Sequence, residues 1–269
     1  MRTMKIAAVG AGSLLALGMA APAYADDHNI AELSVLHAVP DTPVDVYVNG
    51  DLTLDDFQPG DLAGPLELPE GTYSVAITAD DAADDSAPIL GPIDLPLEAD
   101  MSYTAVAHLD ADGSPTVTLF TNDISETAAG EGRLTVRHTA AAPAVDVWVD
   151  GSVLFDNLSN PDEVMGDVPA ATYEAAVSLT GETDVVIGPA DVPIEHGVNT
   201  IVYAWGSAAD GNLDFAVQQV DTASANPSGV AAGTQGLAAD NGTATGLIVA
   251  MLLGIAAVGA TASVVVARR

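Results

Sequence analysis

Residues 33–120 and 134–217 repeat each other, and that duplication restricts the fold more than any other feature. LSVLHAVPDTPVDVYVNG (33–50) aligns without gaps on LTVRHTAAAPAVDVWVDG (134–151). LPEGTYSVAI (68–77) follows on VPAATYEAAV (168–177), GPIDLPLE (91–98) on GPADVPIE (188–195), and Asp112-Gly113 on Asp210-Gly211. Two copies of this length are two domains in tandem (26–122 and 133–220), not a short-period solenoid. The stretch TNDISETAAGEG (121–132) joins them.

Each copy reads as β structure. Leu33, Val35 and His37 alternate with Ser34 and Leu36, and Val44, Val46 and Val48 alternate with Asp45 and Tyr47. Period-two runs separated by Asn-Gly, Asp-Gly and Pro signals predict short antiparallel strands, about seven per copy, with one face buried. The expected class is all-β: two tandem sandwiches, immunoglobulin-like or transthyretin-like.

The ends differ from the middle. All 38 acids and only two bases, Arg133 and Arg137, lie between residues 26 and 246, while Arg2, Lys5, Arg268 and Arg269 sit at the termini. Arg2 and Lys5, the apolar run Ile6 to Met19 and Ala23-Tyr24-Ala25 make residues 1–25 a secretory signal peptide. Leu247 to Ala267 runs 21 residues without a charge before Arg268-Arg269. As a helix it measures about 31 Å, the thickness of a bilayer core, and the terminal arginines orient 268–269 to the cytoplasm. Residues 221–246, rich in Ala, Gly, Ser and Thr, read as a flexible stalk. The expected location is therefore the cell membrane, single-pass, with the acidic region outside.

A formal charge of −32 excludes a nucleic-acid partner, which needs a basic footprint on phosphate. The absence of cysteine removes disulfides, thiolate metal sites and cysteine nucleophiles. Thirty-eight acids with so few cations repel one another unless salt or bound cations screen them.

Few residues offer chemistry. His37 and His138 occupy equivalent positions, each followed eight residues later by Asp45 or Asp146 across a Pro-containing loop. Strand pairing would bring imidazole and carboxylate together as an oriented base. No nucleophile motif accompanies them, and His37 shares its face with apolar residues, so the plainer expectation is a buried His holding the loop. Tyr47 and Trp148 occupy an equivalent outward position beside Asp45 and Asp146, suited to cross-strand packing or to a ligand. Asp80, Asp81, Asp84 and Asp85, together with Asp110 and Asp112, supply the oxygen ligands calcium prefers. Asp-Gly at 112–113 is equally a hairpin turn. No other cofactor is indicated. Asn157 and Asn241 stand in N-x-[ST] tripeptides.

The block HAVPDTPVDVYVNG, with its second version HTAAAPAVDVWVDG and the LPEGTYSV-type strand, resembles the domain of unknown function 4397 family. That resemblance implies an exported protein with tandem copies and carries no activity with it. In the second copy Ala171 replaces the Gly before Thr-Tyr, so a different turn is expected there. The expected function is a non-catalytic surface module with a structural, adhesive or ligand-binding role toward an unidentified envelope or extracellular ligand. The alternatives are a carboxylate-dependent envelope hydrolase and a calcium-binding surface protein.

Overall fold

Alternating apolar residues bounded by turn formers build sixteen strands in the computed structural model, which describes residues 29–222. The expected signal peptide, the membrane helix and nearly all of the stalk lie outside the described residues. Among the described residues there is no helix.

The first eight strands are β1 (Ile30–Ala38), β2 (Val44–Val48), β3 (Asp51–Phe57), β4 (Leu62–Pro69), β5 (Gly71–Ala79), β6 (Leu90–Leu97), β7 (Ser102–Leu109) and β8 (Pro115–Asn122). The second eight are β9 (Glu131–Ala141), β10 (Val145–Val149), β11 (Ser152–Leu158), β12 (Glu163–Pro169), β13 (Ala171–Leu179), β14 (Val185–Ile194), β15 (Val198–Ser207) and β16 (Asp214–Asp221). Each set forms two four-stranded sheets. The orders are β4-β1-β7-β8 over β3-β2-β5-β6, then β12-β9-β15-β16 over β11-β10-β13-β14. The copies thus hold eight strands each, one more than the sequence suggests. The acid-rich β3 and the Pro-interrupted β4 carry weak strand signals.

The turns follow the residues that form them. Asn49-Gly50 and Asp150-Gly151 all have positive φ and close the β2–β3 and β10–β11 hairpins, as a type I′ turn requires. Not every strand pair is antiparallel: β1 runs parallel to β7, and β9 to β15. The chain crosses to the other sheet between them, so the two strands can meet side by side in one direction. The turn at Ala171 does not differ from its counterpart. Gly71 and Ala171 each start a strand, and the Tyr73 and Tyr173 hydroxyls each donate at 2.8 Å to the carbonyl of Pro69 or Pro169.

Each sandwich has its own core. Leu33, Val46, Ile77 and Tyr103 belong to the first, and Val136, Val147, Ile194 and Ala204 to the second. A third core, made of Leu36, Ala38, Val106, Phe120, Ile201, Tyr203 and Trp205, joins the inner sheets of the two copies. Through this core the sheet β4-β1-β7-β8 packs on the sheet β12-β9-β15-β16, so the four sheets form a stack. This corrects the expectation of one buried face. Strand β7 is buried at every position, β1 and β15 at most positions, and β9 at every position between its two end residues. Successive residues point to opposite faces, so a strand in the middle of a stack must bury both.

The inner faces are not purely apolar. Arg137 is 1% exposed; its Nε donates to Glu163 at 2.8 Å and its Nη1 to Asn122 Oδ1 and the Tyr203 hydroxyl at 3.0 and 2.7 Å. Its guanidinium lies 4.4 Å over the Phe120 ring. Asn122 and Phe120 belong to the first copy, so Arg137 reaches across the junction. Thr104 and Gln218 pair across it too, at 3.0 Å. Asn160 Nδ2 donates to the carbonyls of Leu109 and Ala140 at 2.8 and 2.6 Å, one in each copy. Polar groups removed from water are thus largely paired with one another.

Candidate functional site

His37 ends up where its neighbours Leu33 and Val35 put it, on the inward face of β1, 1% exposed. Its Nε2 lies 2.7 Å from the Thr42 carbonyl. A carbonyl only accepts, so Nε2 carries the proton, and the imidazole ties the loop between β1 and β2 to the strand. Phe57 stacks beside it at 6.0 Å. His138 repeats the device: Nε2 donates to the Pro143 carbonyl at 3.0 Å, and Nδ1 accepts the Ala140 N–H. Burial lowers the pKa of both rings, opposed by those same carbonyls and by Asp61 or Asp162. Both are therefore neutral at pH 7.

Asp45 and Asp146 lie on the other face of other strands. Val44 and Val46 point into the first core, so Asp45 points outward from β2. Its Oδ1 accepts the Asp56 N–H at 2.9 Å, and Asp146 Oδ1 accepts the Asn157 N–H at the same distance. Asp56 and Asn157 both have positive φ, at a register shift between the hairpin strands. The carboxylate thus pins the irregularity in each copy. Asp146 also accepts the Gly181 N–H at 2.9 Å. The Asn157 and Gly181 N–H groups hold its pKa below the ordinary aspartate value. The structure does not bring His37 to Asp45, nor His138 to Asp146: each is bonded to backbone, and β1 and β2 belong to different sheets.

Tyr47, expected outward, is buried at 8% exposure, while Trp148 is half-buried and donates from Nε1 to Ser178 Oγ at 2.8 Å. Burial raises the Tyr47 pKa, and Asp45, Asp84, Asp85 and Asp55 raise it further.

Two of the six acids named for calcium serve turns. Asp110 Oδ1 accepts the N–H groups of Asp112 and Ser114, and Asp84 Oδ1 that of Ser86. Asp80, Asp81 and Asp85 join no group of three closely placed carboxylates among the described residues. One such group exists there: Asp45, Asp55 and Asp56 bring carboxylate oxygens within 4.8 Å of one another. Asp45 is buried and the other two are exposed. Hairpin pairing could have found Asp55 and Asp56. With a turn at Asn49-Gly50, β3 folds back along β2 until Phe57 stands opposite Val44, which places Asp56 beside Asp45.

The two lone bases of the middle region have partners. Arg133 meets Asp123 and Asp167 at 2.8 Å each and donates to the carbonyls of Asp123 and Ser125. Arg137 meets Glu163. Both stand directly opposite their acids on β12, Arg133 across from Asp167 and Arg137 across from Glu163. No curated protein matches the chain. The family model described as Domain of unknown function (DUF4397) matches residues 31–148, from β1 through all of the first copy and into β10 of the second.

Proposed function

We propose that the protein is a non-catalytic surface module: two sandwiches joined as one rigid body and held outside the cell to bind or space an extracellular ligand. The observation that carries this reading is the fate of the four residues best suited to chemistry. His37, His138, Asp45 and Asp146 each hold backbone in the same way in both copies. Residues used twice for one structural task favour architecture over turnover. We read the second unit as a second copy of the matched family, since its sheets repeat the strand order of the first. Within the sandwich class, the transthyretin-like form is favoured over the immunoglobulin form. The latter groups its first, second, fourth and fifth strands in one sheet, whereas here the first pairs with the fourth and seventh.

Export by residues 1–25, a stalk over 221–246 and a membrane helix over 247–267 complete the reading. They rest on the charge and hydropathy of those segments. The test pairs two measurements. Protease added to wall-free cells cuts within 221–246, and the purified protein turns over no glycan or ester in a broad screen. Turnover lost in Asp45→Asn/Asp146→Asn sinks the module in favour of a hydrolase, and full protection of the chain sinks the topology.

Calcium binding is a second reading, favoured by the Asp45, Asp55 and Asp56 oxygens. Calcium in the millimolar range then raises the melting midpoint beyond a sodium chloride control of equal ionic strength, and Asp55→Asn/Asp56→Asn removes the excess.

A further inference from the structure

The duplicated sandwiches diverge at one pair of facing positions. In the second copy Arg133 on β9 stands opposite Asp167 on β12, and the two make an ion pair at 2.8 Å. Asp123, just past the end of β8, closes on the same guanidinium at 2.8 Å. The aligned positions of the first copy are Glu32 on β1 and Glu67 on β4, again directly opposite each other. Two like charges facing across an antiparallel pair destabilise it. Asp221, at the end of β16, lines the same place much as Asp123 lines the other. The acids of the ion-paired site are therefore present twice, and the cation once.

The vacant counterpart is a cleft. About 740 Å³ opens between the copies, with Glu32, Glu67, Asp100 and Asp221 on its walls, and Met101 and Val220 among its apolar lining. Two neutral polar side chains complete the wall. Gln218 is 4% exposed and lines the cleft, its Oε1 accepting from Thr104 and Tyr203. Ser34, also 4% exposed, lines the cleft with a hydroxyl that has no partner there. The Ser34 oxygen opens onto the cleft and can accept a donor there. No lysine or arginine lies between Lys5 and Arg133 or between Arg137 and Arg268, and Arg133 and Arg137 are already paired, so neither copy has a cation left for the cleft.

We infer that this cleft binds a guanidinium-bearing ligand, its N–H groups meeting Glu32 and Glu67, with Asp221 in the place that Asp123 takes beside Arg133. Guanidinium suits it better than a spherical cation, because a planar fork of donors matches two carboxylates and the Ser34 oxygen. This deepens the ligand-binding reading above and rests on it. The experiment below reads binding, not turnover, so its failure leaves the outcome of the substrate screen untouched.

The probe is N-acetylarginine amide, titrated into the full-length protein by calorimetry. Choline, a monovalent cation without N–H donors, and calcium chloride serve as comparisons at matched ionic strength. Saturable heat with the arginine probe and none with choline is expected. Glu32→Gln/Glu67→Gln weakens the affinity at least tenfold. Both residues are exposed, so the variant folds. Glu32→Arg supplies the missing cation from within: it abolishes binding and raises the melting midpoint. A pentapeptide with a central arginine binds tighter than the probe if the natural ligand is a peptide side chain, and no tighter if it is a free guanidinium compound. Choline binding as well as the arginine probe, calcium alone saturating the site, no saturable heat, or affinity unmoved by Glu32→Gln/Glu67→Gln each overturns the assignment.

Discussion

Replacing Arg137 by methionine tests whether the two copies behave as one body. Methionine keeps most of the stem and removes the guanidinium. The loss covers the ion pair with Glu163 at 2.8 Å, hydrogen bonds to Asn122 and Tyr203 at 3.0 and 2.7 Å, and the position 4.4 Å over Phe120. Breaking a buried pair by removing one partner costs about 3–5 kcal/mol. Glu163 has a side chain 27% exposed and can turn to water, and Asn122 keeps its bond with Thr104, which places the cost near the lower bound. A loss of about 3 kcal/mol lowers the midpoint by about 6–12 °C in a domain of roughly 200 residues. Calorimetric melting measures it. The transition also broadens or splits, because the residue removed bridges the junction. Arg137→Lys keeps the charge without the fork and gives an intermediate loss. Arg137→Met/Glu163→Leu, which removes both charges, recovers part of it. A midpoint drop below about 3 °C with one sharp transition would refute the claim that this residue staples the copies.

Three further outcomes follow from the same structure. Burial holds His37, His108 and His138 below the ordinary histidine pKa, so the unfolded chain takes up protons first. Stability is then full above about pH 6.5 and falls as pH drops, by up to about 1.4 kcal/mol per pH unit for each ring; urea midpoints at pH 7.5 and 5.5 check it, and equal midpoints refute it. Gly188→Ala destabilises by about 2–4 kcal/mol, because φ is +89° and a Cβ would stand 2.8 Å from the Ala175 carbonyl oxygen; a melting midpoint within 2 °C of the parent contradicts this. Raising sodium chloride from 0.1 to 1 M shortens the screening length from about 10 to about 3 Å and raises the midpoint, since 38 acids face two bases in the described region and its flanks; an unchanged midpoint removes repulsion as a factor.

The duplication, the strand periodicity and the hairpin turns were legible, because each depends on neighbours in sequence. Asn49-Gly50 forms its turn whatever lies above it. The junction was not legible. Thr104, Thr135, Arg137, Asn199 and Gln218 are buried polar residues that no local pattern places inside, and Thr104 with Gln218 and Arg137 with Asn122 pair across the copies. Parity could have decided the pairing of His37 with Asp45. Leu33, Val35 and His37 share the core face of β1, while Asp45 alternates with the core residues Val44 and Val46. An inward ring on one strand does not meet an outward carboxylate on the other, however short the loop.

Two identical copies could not have packed inner face to inner face in this way. Leu36 of the first copy aligns with Arg137 of the second, and the pairs across from them are Leu62 and Glu163. At this level of the stack one copy offers an apolar surface, and the other a guanidinium with its own counter-charge, stacked on Phe120 of its neighbour. Divergence there produced complementarity within the chain. At Glu32 and Glu67 divergence produced the reverse, an acid opposite an acid where the sister copy is neutralised. Arg133 and Arg137 neutralise the acids of the second copy's edge strand, and the first copy's Glu32 and Glu67 have no such partner among the described residues.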